Sequence, residues 1–485
     1  MAMDTHLLAP MNPWLWSQTM GDTFAATLDP SGLALVQRRL RLERLLEHAH
    51  AASPFYGARH RGRAWASRGV PPLEALEPVE KAELMRHFDD WATDRRITRA
   101  SVDAFLADPQ RLADPYLGRY LVWTSSGTSG EPGIFVQDEL SLAAYDALDA
   151  LRLRGTDATS WAWPAWSLGQ RFAFVAATGG HFAGVASIER LRRIGTAGWP
   201  PLQWLTPAVR SFSVQLPLDD LATQLQAFAP TVLITYPSCA DALAQAQAEG
   251  RLQLELTEVW TGGEQLSPEQ RTRIRSAFGC ALRNSYGASE CYAMAWECAA
   301  GRLHLNHDWL VLEPVDQQLR PVAPGDASHS VLLTNLANRT QPLLRYRLGD
   351  SVRFLPGRCT CGSGFPAFEV EGRADHTLLM QDARKRTVAL LPLALCTAIE
   401  EGAQVTRFQV LRAAADRLVL RFEPEVTDPE AAYRRGKAAL GEFLATQRLG
   451  NVHIEYSAAP PIRHPRSGKL ERVRPDEREK PGPAP

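Results

Sequence analysis

The chain has 485 residues, 45% of them hydrophobic and 22% charged, with a formal net charge of −1 and seven cysteines. This length predicts two to four structural units, and the balance is that of a globular protein rather than a disordered or fibrous one. A near-neutral chain with no long basic block excludes general attraction to nucleic acid or anionic lipid, and a small, odd number of thiols excludes a disulfide scaffold.

In chain order, MAMDTHLLAPMNPWLWSQTM (1–20) has neither a basic start nor a long apolar run, so it does not read as a signal peptide. No window reaches the ~18–20 uncharged apolar residues of a membrane helix. The chain therefore reads as cytoplasmic, with small molecules or one specific protein as partners. Residues 31–52 predict an amphipathic helix with Leu35, Leu42, Leu45 and Leu46 on one face, stopped by Pro54. From about residue 120, strand-like runs at 171–177, 231–236, 258–264 and 331–336 alternate with helical stretches such as 239–251, closed by Gly250. That alternation predicts an α/β fold with largely parallel sheets. The pattern changes near residue 372, where a smaller α+β region begins, with strands at 407–413 and 452–458 and a helix at 428–447. The expected division is 1–374, 375–474 and a charged, Pro-rich tail at 475–485 that reads as disordered.

VWTSSGTSGEPGIF (122–135) carries the first chemical signal. Glycines let backbone N–H groups converge and hydroxyls add donors, so SSGTSGEPG suits a polyphosphate. No Lys follows the glycines, which fits a P-loop poorly, and a flexible polar linker is the plain alternative.

Together with NSYGASE (284–290), LLRYRLGD (343–350), GRADHTLL (372–379) and HPRSGKLERV (464–473), this loop resembles, in order and spacing, the signatures of the adenylate-forming superfamily. That superfamily includes acyl-CoA synthetases, carrier-protein-loading adenylation domains and firefly luciferase. The phenylacetate–CoA ligase branch is the nearest in appearance, and the likeness runs from about residue 35 to 474. It implies a large N-terminal domain binding ATP and acid, and a small mobile C-terminal domain. A carboxylate would be joined to the α-phosphate of ATP with loss of pyrophosphate, and the acyl group passed to coenzyme A or to acyl carrier protein phosphopantetheine.

The resemblance also assigns roles. Ser125, Ser126, Gly127, Thr128, Ser129 and Gly130 would hold the β- and γ-phosphates, with Gly133 standing where many relatives have Lys. Tyr286 would stack on adenine, with Ser285, Gly287 and Ser289 of the same element in the nucleotide site, and Glu290 would bind Mg2+. Asp350 would bind the ribose hydroxyls, supported by Arg373; a structural salt bridge to Arg345 or Arg347 is its rival. Lys469 would reach the α-phosphate and the acid, and Asp375 would be the hinge between two poses.

For the acid pocket, GGHFAG (179–184) offers His181 and Phe182, with His181 equally readable as a core histidine. YPSC offers Tyr236, Pro237 and Ser238 and TGGE offers Gly262, with Gly263 and Glu264 assigned to the nucleotide, both segments at strand ends where open α/β sheets bind ligands. The aromatic surroundings suit an aryl acid. Cys298, His304, Cys359 and Cys361 have the composition of a structural zinc site, with Cys291 as a substitute ligand; unrelated reduced thiols are the alternative. Two further functions stay open, adenylyl transfer to a hydroxyl and a non-catalytic nucleotide-binding protein on the same fold.

Overall fold

The computed structural model describes residues 11–60, 72–125, 132–153, 169–178, 180–197, 207–371, 377–405, 407–424, 426, 428–463 and 470–475. Helix Pro13–Leu28 starts on Asn12, whose side chain accepts the Trp14 and Leu15 amide hydrogens, with Pro13 in the first turn where its missing N–H costs nothing. The next helix, Leu33–Ala52, stops at Ser53 as the proline predicts. Its buried stripe passes through Ala34, Arg41, Leu45 and Ala49. Leu35 stands one residue, about 100°, round from Ala34 and is exposed.

β1 (Leu121–Thr124) and β2 (Ile134–Gln137) pair antiparallel on either side of the Ser/Gly-rich loop. β3 (Arg171–Ala176), β4 (Ala208–Ser213), β5 (Val232–Thr235), β6 (Glu258–Thr261) and β7 (Ala281–Ala288) then run parallel in the order β7-β6-β5-β3-β4. Helices Leu218–Phe228, Pro237–Ala248 and Pro268–Phe278 form the crossovers that parallel neighbours require. The sheet continues antiparallel through β8 (Cys291–Glu297) and β9 (Leu303–Leu305).

β10 (Leu310–Val315), β11 (Ser330–Asn335) and β12 (Leu343–Leu348) form a separate antiparallel sheet. The expectation that 331–336 joins a parallel sheet is thus corrected. Every residue of β11 is buried, and a continuous apolar run marks burial on both faces rather than strand direction. β13 (Ser351–Phe354) and β14 (Ala367–Glu371) return to the large sheet, giving nine strands in the order β13-β14-β9-β8-β7-β6-β5-β3-β4.

Beyond residue 376, β15 (Leu378–Gln381) and β16 (Thr387–Leu390) form a hairpin. β17 (Phe408–Ala414), β18 (Arg417–Phe422), β19 (His453–Tyr456) and β20 (Val473–Pro475) make a four-stranded sheet with helices Pro392–Ala403 and Pro429–Thr446. One apolar cluster runs from Val175 and Leu243 to Leu395 and Phe408, so this region packs on the crossover helices of the parallel strands. The expected boundary, at Asp375, lies outside the described residues. No described helix is long and apolar enough to cross a membrane.

Candidate active site

A cavity of about 1240 Å³ opens beyond the C-terminal ends of β5, β6 and β7, where an open parallel sheet presents its crevice. Ser125, Gly262, Gly263, Ser285, Gly287, Ser289, Glu290 and Asp350 all line it. Residues more than two hundred positions apart in sequence therefore face one space, large enough for a nucleotide and a small acid together.

The β7–β8 hairpin sets two of the carboxylates. Its register slips between Tyr286 and Ala288, a bulge that re-aims the side chains on either side of it. Glycine is required there, since a Cβ on Gly287 would lie 1.8 Å from the Tyr292 carbonyl oxygen. Tyr286 donates its hydroxyl to Asp350 Oδ2 at 2.7 Å and packs edge-on against Phe368. Arg345 pairs with Glu313 and Arg347 with Glu80, so Asp350 is held by the tyrosine rather than by either neighbouring arginine. Tyr346 donates to Glu290 Oε1 at 2.8 Å, and the Asn335 side-chain amide donates to the Glu290 carbonyl at 3.0 Å. Burial pushes the Glu290 carboxyl above its usual range, while the Tyr346 hydrogen bond and the Lys81 charge act in the opposite direction.

Lys81 is a residue that sequence reasoning missed. Val79 exchanges backbone hydrogen bonds with Arg345 and Arg347, a single parallel bridge that ties the segment to β12 and brings Lys81 to the cavity near Glu290. Nothing in VEKAEL distinguishes this amine from a surface helix lysine. The absent lysine at Gly133 has a steric basis: a Cβ there would meet the Phe135 ring at 2.7 Å and Ser125 Oγ at 3.2 Å. The Gly133 amide instead donates to Ser125 Oγ at 2.8 Å, closing the base of the loop.

On the acid side, Phe182 lines the cavity. Of the two readings of His181 the structure fits the core one: it is buried with its ring 6.0 Å from that of Phe105, and its carbonyl accepts the Thr124 amide. The chain pairs with β1 at Phe182, where successive side chains point to opposite sides, so only one of the two can face the cavity. Tyr236 lines the cavity, but Pro237 and Ser238 form the first turn of helix Pro237–Ala248. Glu264 is corrected. Its carboxylate accepts the Ser238 amide at 3.0 Å, capping that helix where unsatisfied N–H groups and the helix dipole favour an anion.

The remaining wall holds Asp149, whose carboxyl is pushed up to about 7 by burial and then by Asp146, against the opposing charge of Arg190. No sequence motif pointed to it.

Away from the cavity, Cys298, His304, Cys359 and Cys361 bring their ligand atoms within 4.8 Å of one another. Cys298 Sγ and Cys359 Sγ are 3.8 Å apart, and Cys361 Sγ is 3.3 Å from His304 Nε2. His304 Nδ1 is engaged with the Phe365 carbonyl at 2.8 Å, which aims Nε2 at the thiols. Burial lowers the His304 pKa and so favours the neutral ring a metal needs. The donor set fits a four-coordinate zinc ion. Cys291 is not part of it; it lies buried between Tyr145 and Glu290. Ser126, Gly127, Thr128, Ser129, Gly130, Arg373, Asp375 and Lys469 lie outside the described residues.

The profile of the AMP-binding enzyme family matches residues 208–323. Protein CapK of Staphylococcus aureus is 30% identical over 131 residues, which are 27% of this chain and 28% of CapK, so the match spans under a third of that protein. Among solved structures, 2-hydroxyisobutyryl-CoA ligase in complex with 2-HIB-AMP and CoA is similar with a TM-score of 0.54 and 20% identity, covering 93% of this chain and 91% of that one. The same ligase with R3-HIB-AMP in the postadenylation state gives a TM-score of 0.50 at 19% identity, covering 90% and 88%. The chain thus has the mixed α/β fold of adenylate-forming CoA ligases.

Proposed function

We propose that this protein activates a carboxylic acid with ATP and Mg2+ and passes the acyl group to a thiol, either coenzyme A or the phosphopantetheine of an acyl carrier protein. The carrying observation is that Ser125 of the Ser/Gly-rich loop, Glu290 and Asp350 share one cavity with the apolar wall around Tyr236. In the first step a carboxylate oxygen attacks the α-phosphorus and the bond to the departing pyrophosphate breaks. In the second, a thiolate attacks the acyl carbon and AMP leaves.

The 125–130 loop is suited to the pyrophosphate, and Lys81 can supply the cation that Gly133 does not. Asp350, oriented by Tyr286, is the ribose ligand of this reading, and Arg373 is assigned to the same sugar. Glu290 would hold Mg2+, which neutralises phosphate charge when bound. Lys469 is assigned to the α-phosphate. Arg472, three residues on, pairs with Glu400, which itself lines the cavity, and Arg463 forms a backbone bridge with Leu470 on the other side of residues 464–469. A swing about Asp375 would take the 375–474 unit from the adenylating to the thiolating pose. Phe174, Phe182, Ile188 and Ile234 pack with Tyr236 as an apolar wall that suits an aromatic acid. A cytoplasmic location fits the supply of ATP and thiol, and the four-residue Cys/His cluster is proposed as a structural zinc site.

Acid-dependent exchange of pyrophosphate into ATP, across benzoates, phenylacetates, cinnamates and fatty acids, tests the first step. Thioester formation with coenzyme A against carrier protein tests the second. ATP binding without any exchange would instead establish a non-catalytic protein, and AMP retained covalently in the product would establish adenylyl transfer.

The Glu290–Tyr346 contact yields a pH prediction. Glu290 must be ionised to hold a cation, and the Tyr346 hydrogen bond keeps its raised pKa from rising further. Tyr346→Phe removes that bond, so the loss of exchange on acidification is expected to begin at a higher pH than in the wild type. Pyrophosphate exchange followed against pH reads the shift, and extra Mg2+ should move it back toward lower pH.

A further inference from the structure

Asp149 is a carboxyl group on the cavity wall for which the nucleotide chemistry has no use. It opens a π-helical turn, Asp149–Leu153, that continues helix Glu139–Leu148. Such turns insert a residue, rotate the side chains that follow, and recur at functional sites. This one is firmly anchored: the buried Arg152 makes two hydrogen bonds to Asp308, at 2.7 and 2.9 Å, and lies 4.3 Å over the Phe365 ring. The backbone that presents Asp149 is therefore fixed.

The charged groups facing Asp149 come from three elements. Asp146 lies one turn earlier on its own helix, Arg190 comes from helix Ala183–Ala197, and Tyr292 comes from β8. Arg190 is buried and directs its guanidinium to Asp146. Among the described residues, the Asp149 carboxyl has no hydrogen-bond partner. Tyr292 interacts electrostatically with Asp149, Asp146 and Tyr236, and Asp149, Tyr292 and Tyr236 all line the same cavity, so the carboxyl and the proposed acid site share a neighbour. Leu148 and Leu153 flank it on the cavity wall, so apolar side chains stand beside it together with Asp146 and Arg190. A carboxyl set in such a wall is costly until something donates to it, and a bound acid can provide that donor.

We propose that Asp149 is a specificity-determining residue that selects acids carrying a hydrogen-bond donor, amino or hydroxyl, at the end remote from the reacting carboxylate. A methyl group in that place would cover the half-buried Asp149 carboxyl without offering it a donor, and a site built to pair with a polar group rejects the analogue lacking it. This inference rests on the proposed acid activation and on the cavity wall around Tyr236 as the acyl site.

The test compares para-amino, para-hydroxy and para-methyl members of the benzoate, phenylacetate and cinnamate series in pyrophosphate exchange. In the wild type, one donor-bearing acid is expected to exceed its methyl counterpart by at least about tenfold in kcat/KM. Asp149→Leu should reverse that order. Asp149→Asn, whose amide oxygen still accepts from N–H and O–H alike, should keep the donor-bearing acids ahead of the methyl one, by a smaller margin than the wild type. Equal rates for all three substituents in the wild type, or a wild-type order in the leucine variant, would overturn the assignment. The shift in Tm produced by the same acids without ATP is measured in parallel on all three proteins. A donor-dependent shift that the leucine variant loses, with no exchange in any protein, would count against acid activation while upholding Asp149 as the selective group. Absence of any donor-dependent shift or rate would defeat the Asp149 assignment itself.

Discussion

Glu290→Gln is expected to lower acid-dependent pyrophosphate exchange by about 100- to 1000-fold, equivalent to about 3–4 kcal/mol of transition-state stabilisation. The amide is nearly isosteric, and its oxygen can still accept the Tyr346 hydroxyl that Glu290 accepts at 2.8 Å. What it lacks is the charge that would hold a divalent cation against the phosphates. Stability should move the other way. Burial raises the folded-state pKa of Glu290 above the unfolded value. The folded chain then binds more protons than the unfolded chain between those two values, and stability falls as pH rises through that window. Glutamine removes this penalty, so the variant should melt at an equal or higher temperature than the wild type at neutral pH while losing activity. Such opposed effects mark a residue kept for chemistry rather than for the fold. Wild-type exchange rates in the variant would end the role given to Glu290; a lowered Tm with lost activity would show a structural role instead.

The sequence was most legible where chemistry and backbone geometry coincide. SYGASE is a hairpin with an obligatory glycine, and that glycine is what lets Tyr286 meet Asp350 on one side while Glu290 meets Tyr346 on the other. The parallel strands were legible because their crossover helices carry a different period from the strands they join. Direction was not legible in β11, whose apolar run is compatible with either pairing. The motifs around His181 and Glu264 locate a segment but not the face each side chain takes: His181 turns to Phe105, the core alternative, and Glu264 to a helix N-terminus. Lys81 and Asp149 were invisible for a different reason. Each reaches the cavity through tertiary placement, the first by the backbone bridge at Val79 and the second by a π-turn anchored at Arg152, and neither has a local sequence signature.

The four-residue cluster should carry one zinc ion per chain, and its removal should have the largest effect on stability of any change considered. Cys298 directly follows β8, His304 sits in β9, and Cys359 and Cys361 lie in the connection between β13 and β14. These are four adjacent strands at one end of the large sheet, and the two pairings β14–β9 and β8–β9 are only two or three residues long. Short strands with few ladder bonds hold an irregular connection weakly, so a metal joining all of them would supply most of the local stability. Cys361→Ser, or chelation, is expected to cost more than about 4 kcal/mol in local opening free energy, since loss of a metal is among the few single changes of that size. Hydrogen exchange across residues 291–305 and 355–371 reads the loss directly. Because β13 begins at Ser351, directly after Asp350, exchange of pyrophosphate should also weaken, by less than in Glu290→Gln. Cys291→Ser should leave zinc content unchanged, since that thiol faces Tyr145 instead of the cluster. Zinc below one-tenth of an equivalent in protein purified without chelator, or unaltered protection in Cys361→Ser, would return these residues to the status of reduced thiols that happen to be neighbours.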